Sequence, residues 1–242
     1  MEQQLNEEQI DRTVDLSTEK KDAIKAESAI AGRYWGGVEW RIVATFLFFL
    51  AAWTFVLVQG LRGEIPLWLG LVLNTAIAST FYMPMHESVH GNISGKVAAM
   101  RWLNELVGKT CQPMLIMSHS AHRSSHMKHH AFTNEADRDP DYFSRGKPWE
   151  LPKKWFAITM VNTFLPLFAL LPFLRRLLPA GMARRGARDE GAAKSAFRTW
   201  LLTTIILVSC FIAGFGPQAL MLWWIPARVQ MLWLMTVFAW FP

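Results

Sequence analysis

The sequence predicts an all-α integral membrane protein with four transmembrane helices in two hairpins, plus cytoplasmic and interfacial helices that carry clustered histidines. Three observations predict this class. Apolar residues make up 52% of the 242 residues, and charged residues only 18%. Several apolar runs approach the length of about 20 residues that a helix needs to cross a bilayer. All seven histidines lie between His86 and His130.

Four apolar segments account for the predicted spans. The loop at 60–64 joins the first two into a hairpin, and Gly214, Gly216 and Pro217 form the turn between the last two. Both outer ends of each hairpin therefore lie on one side of the membrane. The predicted spans are residues 42–58, 65–85, 200–215 and 220–241, within a membrane domain at 40–242.

Basic residues lie where cytoplasmic loops are expected. All of the 25 Lys and Arg except Arg62 and Arg228 fall in residues 1–41 or 86–198. The positive-inside rule therefore predicts that the polar tail at 1–39 and the region 86–198 face the cytoplasm. The net charge of +6 is then explained by loops beside anionic lipid, and nucleic acid is not an expected partner.

Two segments and one arginine are interpreted by their position relative to the membrane surface. Residues 97–107 look amphipathic and are predicted to lie along it. The apolar segment 155–178 is interrupted by prolines and is interpreted as an interfacial or re-entrant helix pair. Arg228 lies inside the fourth span, where it acts either as a snorkelling anchor or as a polar contact inside the bundle.

The first histidine motif is His86-Glu-Ser-Val-His90, at the end of the second span. The i, i+4 spacing places both imidazoles on one helix face, where they can hold a metal ion from one side. The same residues also match the zinc protease motif HExxH, in which Glu87 would be the general base.

The second motif is His122-Arg-Ser-Ser-His126-Met-Lys-His129-His130, with His119 just before it. At about 100° per residue, these five histidines fall on one helical arc of about 100°. Such a face suits neither packing nor solvent, whereas imidazole is a good ligand for iron, zinc and copper. His119 is left open as a supporting residue or a loop residue.

Acidic residues follow the second motif at Asp137, Asp139 and Asp141. A metal-ligating histidine usually donates its other N–H to a carboxylate or a carbonyl. We therefore predict that Asp137 or Asp141 supports a histidine in this way. The alternative is a solvated acidic turn around Pro140.

Together with the topology, these motifs resemble the first two histidine boxes of membrane fatty acid desaturases and of the related carotenoid hydroxylases and ketolases. The resemblance rests on His86-x-x-x-His90, His126-x-x-His129-His130, Thr133-Asn134 and Asp139-Pro140-Asp141. It implies two non-haem iron ions, O2 as co-substrate and C–H oxidation on a lipid acyl chain. The iron ligands that it implies are His86, His90, His126, His129 and His130, together with His122, which has a less firm counterpart.

Two further expectations follow from the resemblance. The family has a third box, HxxHH, after the fourth span, and no histidine follows His130 here. We therefore expect the chain to be truncated at its C-terminus, with the missing histidines beyond Pro242. Because Cys111 and Cys210 cannot build an iron–sulfur centre, electrons are expected from an external ferredoxin or cytochrome b5 type donor with its reductase.

Two other classes of function stay open. An intramembrane metalloprotease needs a third ligand, yet the only acidic residues after Glu150 are Asp189 and Glu190 in a basic loop. It also leaves the second motif unexplained. A non-enzymatic metal-binding or transport protein would place ionisable ligands inside the spans, whereas these histidines lie at and beyond a span end. Within the oxidase interpretation, desaturation and hydroxylation are not separated.

Overall fold

The computed structural model describes residues 21–23, 25–30, 32, 36–164, 173 and 190–240. Within these ranges the regular structure is entirely helical, as predicted. Most of the polar tail at 1–39, most of the segment 155–178 beyond residue 164, and the final residue of the fourth predicted span lie outside the described residues.

Among the described residues, four helical stretches are long and apolar enough to cross a membrane, in the order of the four predicted spans. They are Trp40–Arg62, Leu67–His90, Glu190–Ile212 and Gly216–Val237. The third begins well before residue 200 because its polar first turns continue the same helix. Lys194 Nζ lies 3.1 Å from Glu190 Oε2 one turn earlier, on the exposed surface of that extension.

The individual helices are numbered in chain order from the first span. The first hairpin and its extension are α1 (Trp40–Arg62), α2 (Leu67–Thr80) and α3 (Tyr82–His90). The region between the hairpins holds α4 (Arg101–Leu115), α5 (His119–Phe132) and α6 (Leu151–Thr163). The second hairpin holds α7 (Glu190–Ile212), α8 (Gly216–Ala219) and α9 (Ile225–Leu234), with π-helical turns at Leu220–Trp224 and Met235–Trp240.

The largest buried apolar cluster lies between α3 and α4. Apolar residues of α4 recur at helical spacing and pack on Phe81 and Met85, which are fully buried. The opposite face of α4 exposes Trp102 and Leu106. Arg101 and Lys109 are also exposed, so the inner face of α4 is mainly apolar and covered by α3, whereas its outer face mixes charged and apolar side chains. The buried apolar side chains of α4 are Leu103, Val107, Cys111, Met114 and Leu115.

Arg228 is buried inside the bundle, with 5% of its surface exposed. Its guanidinium carbon lies 5.4 Å from the ring centre of Trp224, which is one turn earlier in the same span. Of the two interpretations of this residue, the structure favours a contact inside the bundle over a snorkelling anchor.

The two hairpins interlock around Leu222, which is fully buried. Asn74 Nδ2 donates a hydrogen bond of 2.7 Å to the Leu222 carbonyl. A Cβ atom added to Gly60 would lie 2.6 Å from a Leu222 methyl group. A Cβ atom added to Gly70 would lie 2.3 Å from the other Leu222 methyl group. Small residues at these positions therefore let the helices approach closely, as is common in membrane bundles.

We expect Gly70→Ala to lower the free energy of unfolding by about 2 kcal/mol, because a buried leucine that cannot move away is overpacked. Unfolding in mixed micelles would measure the loss. Gly37→Ala is the control, since an added Cβ there meets nothing within 4 Å. Leu222→Ala should cost less in the Gly70→Ala background than alone, and strictly additive costs would contradict the packing argument.

Candidate metal centre

The first histidine motif occupies the last two turns of α3. Gly91 ends this helix in the left-handed region, at φ 77°, and its N–H bonds the carbonyls of Glu87 and Ser88. Glycine adopts this conformation without steric cost. The i, i+4 spacing puts the imidazoles of His86 and His90 side by side, with ring centres 4.7 Å apart.

The second motif is carried by α5. Ser118 caps the start of this helix, and its Oγ accepts a hydrogen bond of 3.2 Å from the Ala121 N–H. A serine cap of this kind fixes where the helix begins and hence which face its histidines share. All five histidines from His119 to His130 lie on α5.

Four imidazoles from the two motifs converge. Their ligand nitrogens all lie within 4.8 Å of one another, and they belong to His86, His90, His126 and His130. His126 is central, since its Nε2 lies 3.0 Å from His90 Nε2 and 3.0 Å from His130 Nε2. One ring nitrogen carries either one N–H or one lone pair, so two such contacts cannot both be full hydrogen bonds.

The spacing of these nitrogens fits a shared metal ion. Metal–imidazole bonds of about 2.1 Å at right angles place neighbouring nitrogens about 3.0 Å apart. That value equals the separations around His126. The donor set is nitrogen only, which suits iron, zinc or copper better than calcium or magnesium.

His129 and His122 lie beside this group of four. His129 Nδ1 lies 2.8 Å from Asp139 Oδ1, and its ring centre is 6.2 Å from that of His126. His122 stacks on His126 at 5.3 Å and meets the Tyr82 ring edge at 5.4 Å. The buried His122 Nε2 has no hydrogen-bond partner among the described residues. A buried ring nitrogen that makes no hydrogen bond and lies next to the cluster is suited to bind a second metal ion.

The carboxylate that lies at hydrogen-bonding distance from the His129 imidazole is that of Asp139. Asp141 Oδ2 is 3.8 Å from His129 Nδ1, beyond hydrogen-bonding distance, and Asp137 is exposed. Asp139 is only 8% exposed and also accepts bonds from the main-chain N–H groups of Asn134 and Asp141. Asp139 thus takes this role beside Asp141, whose carboxylate lies at ion-pair distance from the same imidazole, and the predicted support from Asp137 or Asp141 stays a prediction.

Burial alone would raise the pKa of Asp139. Hydrogen bonds from His129, Asp141 and Asn134 outweigh the burial and hold the pKa below its ordinary value. Asp139 is thus an ionised acceptor, and it fixes His129 as the tautomer that carries its proton on Nδ1. This bond leaves Nε2 as the ring nitrogen of His129 that can bind a metal ion.

Glu87 also supports an imidazole. Its Oε1 lies 3.2 Å from His86 Nδ1, and its Oε2 accepts a bond of 2.7 Å from Asn92 Nδ2. Both oxygens are thus engaged in orienting His86 and the turn after α3. This placement differs from that of a general base, which must face the substrate.

The surroundings of His122, His126 and His130 favour the neutral imidazole. Burial, reinforced by neighbouring imidazoles, lowers the pKa of His122 to about 3 and that of His126 to about 3. Burial, followed by the nearby His129, also lowers the pKa of His130. Because only neutral imidazole binds a metal ion, this environment favours ligation at ordinary pH.

We expect metal-depleted protein to lose stability as the pH falls. Below about 6.5 the unfolded chain protonates its histidines, whereas folded His122 and His126 stay neutral down to much lower pH. The unfolded state then binds more protons, so acid favours unfolding. The melting temperature should drop between about pH 7 and about pH 5, and less so in His122→Gln. An equal drop in that variant would contradict the assignment.

The fold and the site together define an integral membrane protein with a histidine cluster at the end of its second span. The sequence profile of the fatty acid desaturase family matches residues 63–242. The chain therefore belongs to the fatty acid desaturase family, which confirms the resemblance drawn from the boxes.

Two curated relatives come from Haematococcus lacustris, a beta-carotene ketolase and a beta-carotene 4-ketolase 3. Each is 34% identical to this chain over 88 residues. The aligned region is 36% of this chain and 25% of each relative. The chain thus matches about a quarter of the length of these ketolases.

Proposed function

We propose that this chain forms part of an O2-dependent, non-haem di-iron oxidoreductase that desaturates lipid acyl chains. The observation that carries the proposal is the convergence of four imidazole nitrogens within 4.8 Å at the end of an apolar span. Family membership supports the same reaction class. Bound iron would supply the redox chemistry that activates O2.

The residues of the chain divide this work. His86, His90, His126 and His130 would hold one ion, and the free nitrogens of His122 and His129 are suited to a second. Asp139 and Glu87 orient their histidines through the bonds described above. The second span ends at this cluster, so an acyl chain in the bilayer would approach the centre along an apolar span.

An open groove of about 730 Å³ lies on the outer surface between α1 and α7. It is lined by Leu61, Arg62, Ile205 and Phe215, among others. These residues lie at the ends of the spans opposite to the histidines. The groove can seat a lipid chain, but it is too far from the cluster to be the reaction site.

Carotenoid oxidation is the second candidate. The observation that favours it is the 34% identity to the two beta-carotene ketolases. A ketolase or hydroxylase would use the same imidazoles and differ in the apolar walls that place one carbon near the centre. Host lipids and added beta-carotene, analysed by mass spectrometry with and without the protein, distinguish the two products.

Metal content tests the reaction class itself. Purified protein should carry iron, up to about two ions per chain, given the preference of imidazole-rich sites. It should oxidise lipid only when a ferredoxin or a cytochrome b5 type donor and its reductase are supplied. One zinc ion per chain, with a proteolytic activity lost in Glu87→Gln, would instead establish the metalloprotease.

We also propose that the cluster faces the cytoplasm, which the basic residues of 86–198 support. A cysteine introduced at the exposed Lys147 should be protected from an impermeant thiol reagent in intact cells. It should become reactive once the membrane is opened. Labelling of this position from outside intact cells would contradict the orientation.

A further inference from the structure

His119 has no place in the proposed metal centre, yet it is among the most buried side chains, with 1% exposed. It precedes His126 by seven residues, which is about 10 Å along the helix axis. Its Nε2 lies 3.0 Å from Ser88 Oγ. Ser88 lies between the two ligands of α3, so this contact joins the same two helices that supply the imidazoles.

The direction of this hydrogen bond is fixed by Ser88. Its hydroxyl carries one hydrogen, and its Oγ lies 2.6 Å from the Met85 carbonyl, which can only accept. The Ser88 Oγ therefore accepts the second bond, and His119 donates it from Nε2–H. Both groups are buried, so loss of Ser88 leaves the His119 N–H without its acceptor, whereas loss of His119 leaves the Ser88 hydroxyl with its bond to Met85 alone.

Gly108 of α4 packs against the hydrogen bond between Ser88 and His119. A Cβ at this position would lie 2.4 Å from His119 Nε2 and 2.4 Å from Ser88 Oγ. The α4 backbone therefore passes directly against the hydrogen bond and excludes water from it. Any larger residue would push the two side chains apart.

The turn from α4 into α5 is shaped to deliver His119 to this place. Ile116 adopts φ 46° and ψ 47°, a left-handed conformation that costs a β-branched residue free energy. Gln112 stabilises the turn through two hydrogen bonds, one accepted by its main chain and one by its side chain. Its main-chain carbonyl bonds the Met117 N–H at 3.2 Å, and its side-chain Oε1 bonds the His119 N–H at 2.7 Å.

We propose that Ser88, Gly108 and His119 form a latch that fixes α5 against α3 and so sets the spacing of the four converging imidazoles before any metal binds. Neutral imidazoles attract one another little, so another contact must hold the two helices in register. Ser88 is rotated about 200° from His86 on α3, so it can bind α5 without occupying a ligand position. His119 is a positioning residue, and the latch rests on the metal centre proposed above.

Co²⁺ titration of the purified protein tests the latch, with absorption in the visible region reporting both affinity and ligand geometry. Ser88→Ala and His119→Ala should each weaken Co²⁺ binding by about 10-fold or more, as is usual for residues that support ligands. The double variant should bind no more weakly than the worse single variant. His119→Gln keeps an N–H donor and should recover most of the affinity.

Ser79→Ala is the matched control, because its hydroxyl bonds the Ala76 carbonyl within its own helix. It should bind Co²⁺ like the wild type. If the alanine variants do not fold, Ser88→Cys takes their place, because it nearly keeps the side-chain volume and weakens the hydrogen-bond acceptor. This variant should also weaken Co²⁺ binding. Folded variants with unchanged affinity and spectrum would overturn the latch alone. A wild type that binds no Co²⁺ would overturn the metal centre and the latch with it.

Discussion

His126→Ala should remove lipid oxidation and most of the bound iron, while the protein still inserts and folds. His126 Nε2 is the one ligand atom that lies 3.0 Å from two others, so its loss opens the centre of the group. We expect iron affinity to fall by more than about 100-fold, beyond the loss that removing a merely supporting contact causes. Chelator competition measures the affinity, and mass spectrometry of lipids measures the turnover.

The control for this variant is Met127→Ala, at an exposed neighbouring position of α5. It removes a side chain from the same helix without touching the cluster, so iron content and activity should stay at the wild-type level. An active, iron-loaded His126→Ala protein would show that the converging nitrogens are not the ligands.

Asp139→Asn should weaken iron binding by about 10-fold to 100-fold. The carboxylate accepts three bonds, from His129 Nδ1 and from two main-chain N–H groups, and an amide has only one oxygen to accept them. At least one donor then loses its partner, and the tautomer of His129 is no longer fixed. Iron retention during dialysis against a chelator measures the change.

Asp137→Asn makes the same chemical change at an exposed position of the same loop. It should leave iron binding unchanged. The opposite order of severity, with Asp137→Asn the worse variant, would assign the supporting role to Asp137, one of the two residues predicted from the sequence.

The number of spans and the helical character of both motifs could be predicted because each depends on local pattern. An apolar run of sufficient length is a span wherever it packs, and i, i+4 spacing places His86 and His90 together in any helix. The choice of Asp139 could not be predicted in this way. It depends on the path of the loop after α5, where Asn134 takes φ 69° and lets its N–H meet the Asp139 carboxylate.

The sequence pattern could not decide the role of His119, which it left open as a supporting residue or a loop residue. It shares a helix face with His126, so periodicity alone groups it with the ligands. Its real partner, Ser88, is 31 residues away in the chain and is reached only because Gly108 lets α4 pack tightly there. The packing of α4 is not encoded in either histidine motif. It is this packing that distinguishes His119, which positions the ligands, from the ligands themselves.

Both helices that carry the cluster end at it, since His90 is the last residue of α3 and His130 lies in the last turn of α5. The aligned peptide dipoles of a helix place a partial charge of about −0.5 at its C-terminus. Two such ends converge where the ligands are all imidazoles, a side chain that never carries a negative charge at ordinary pH. The main chain therefore provides negative potential for a cation that these side chains do not provide, and substitution of a single histidine leaves that contribution in place.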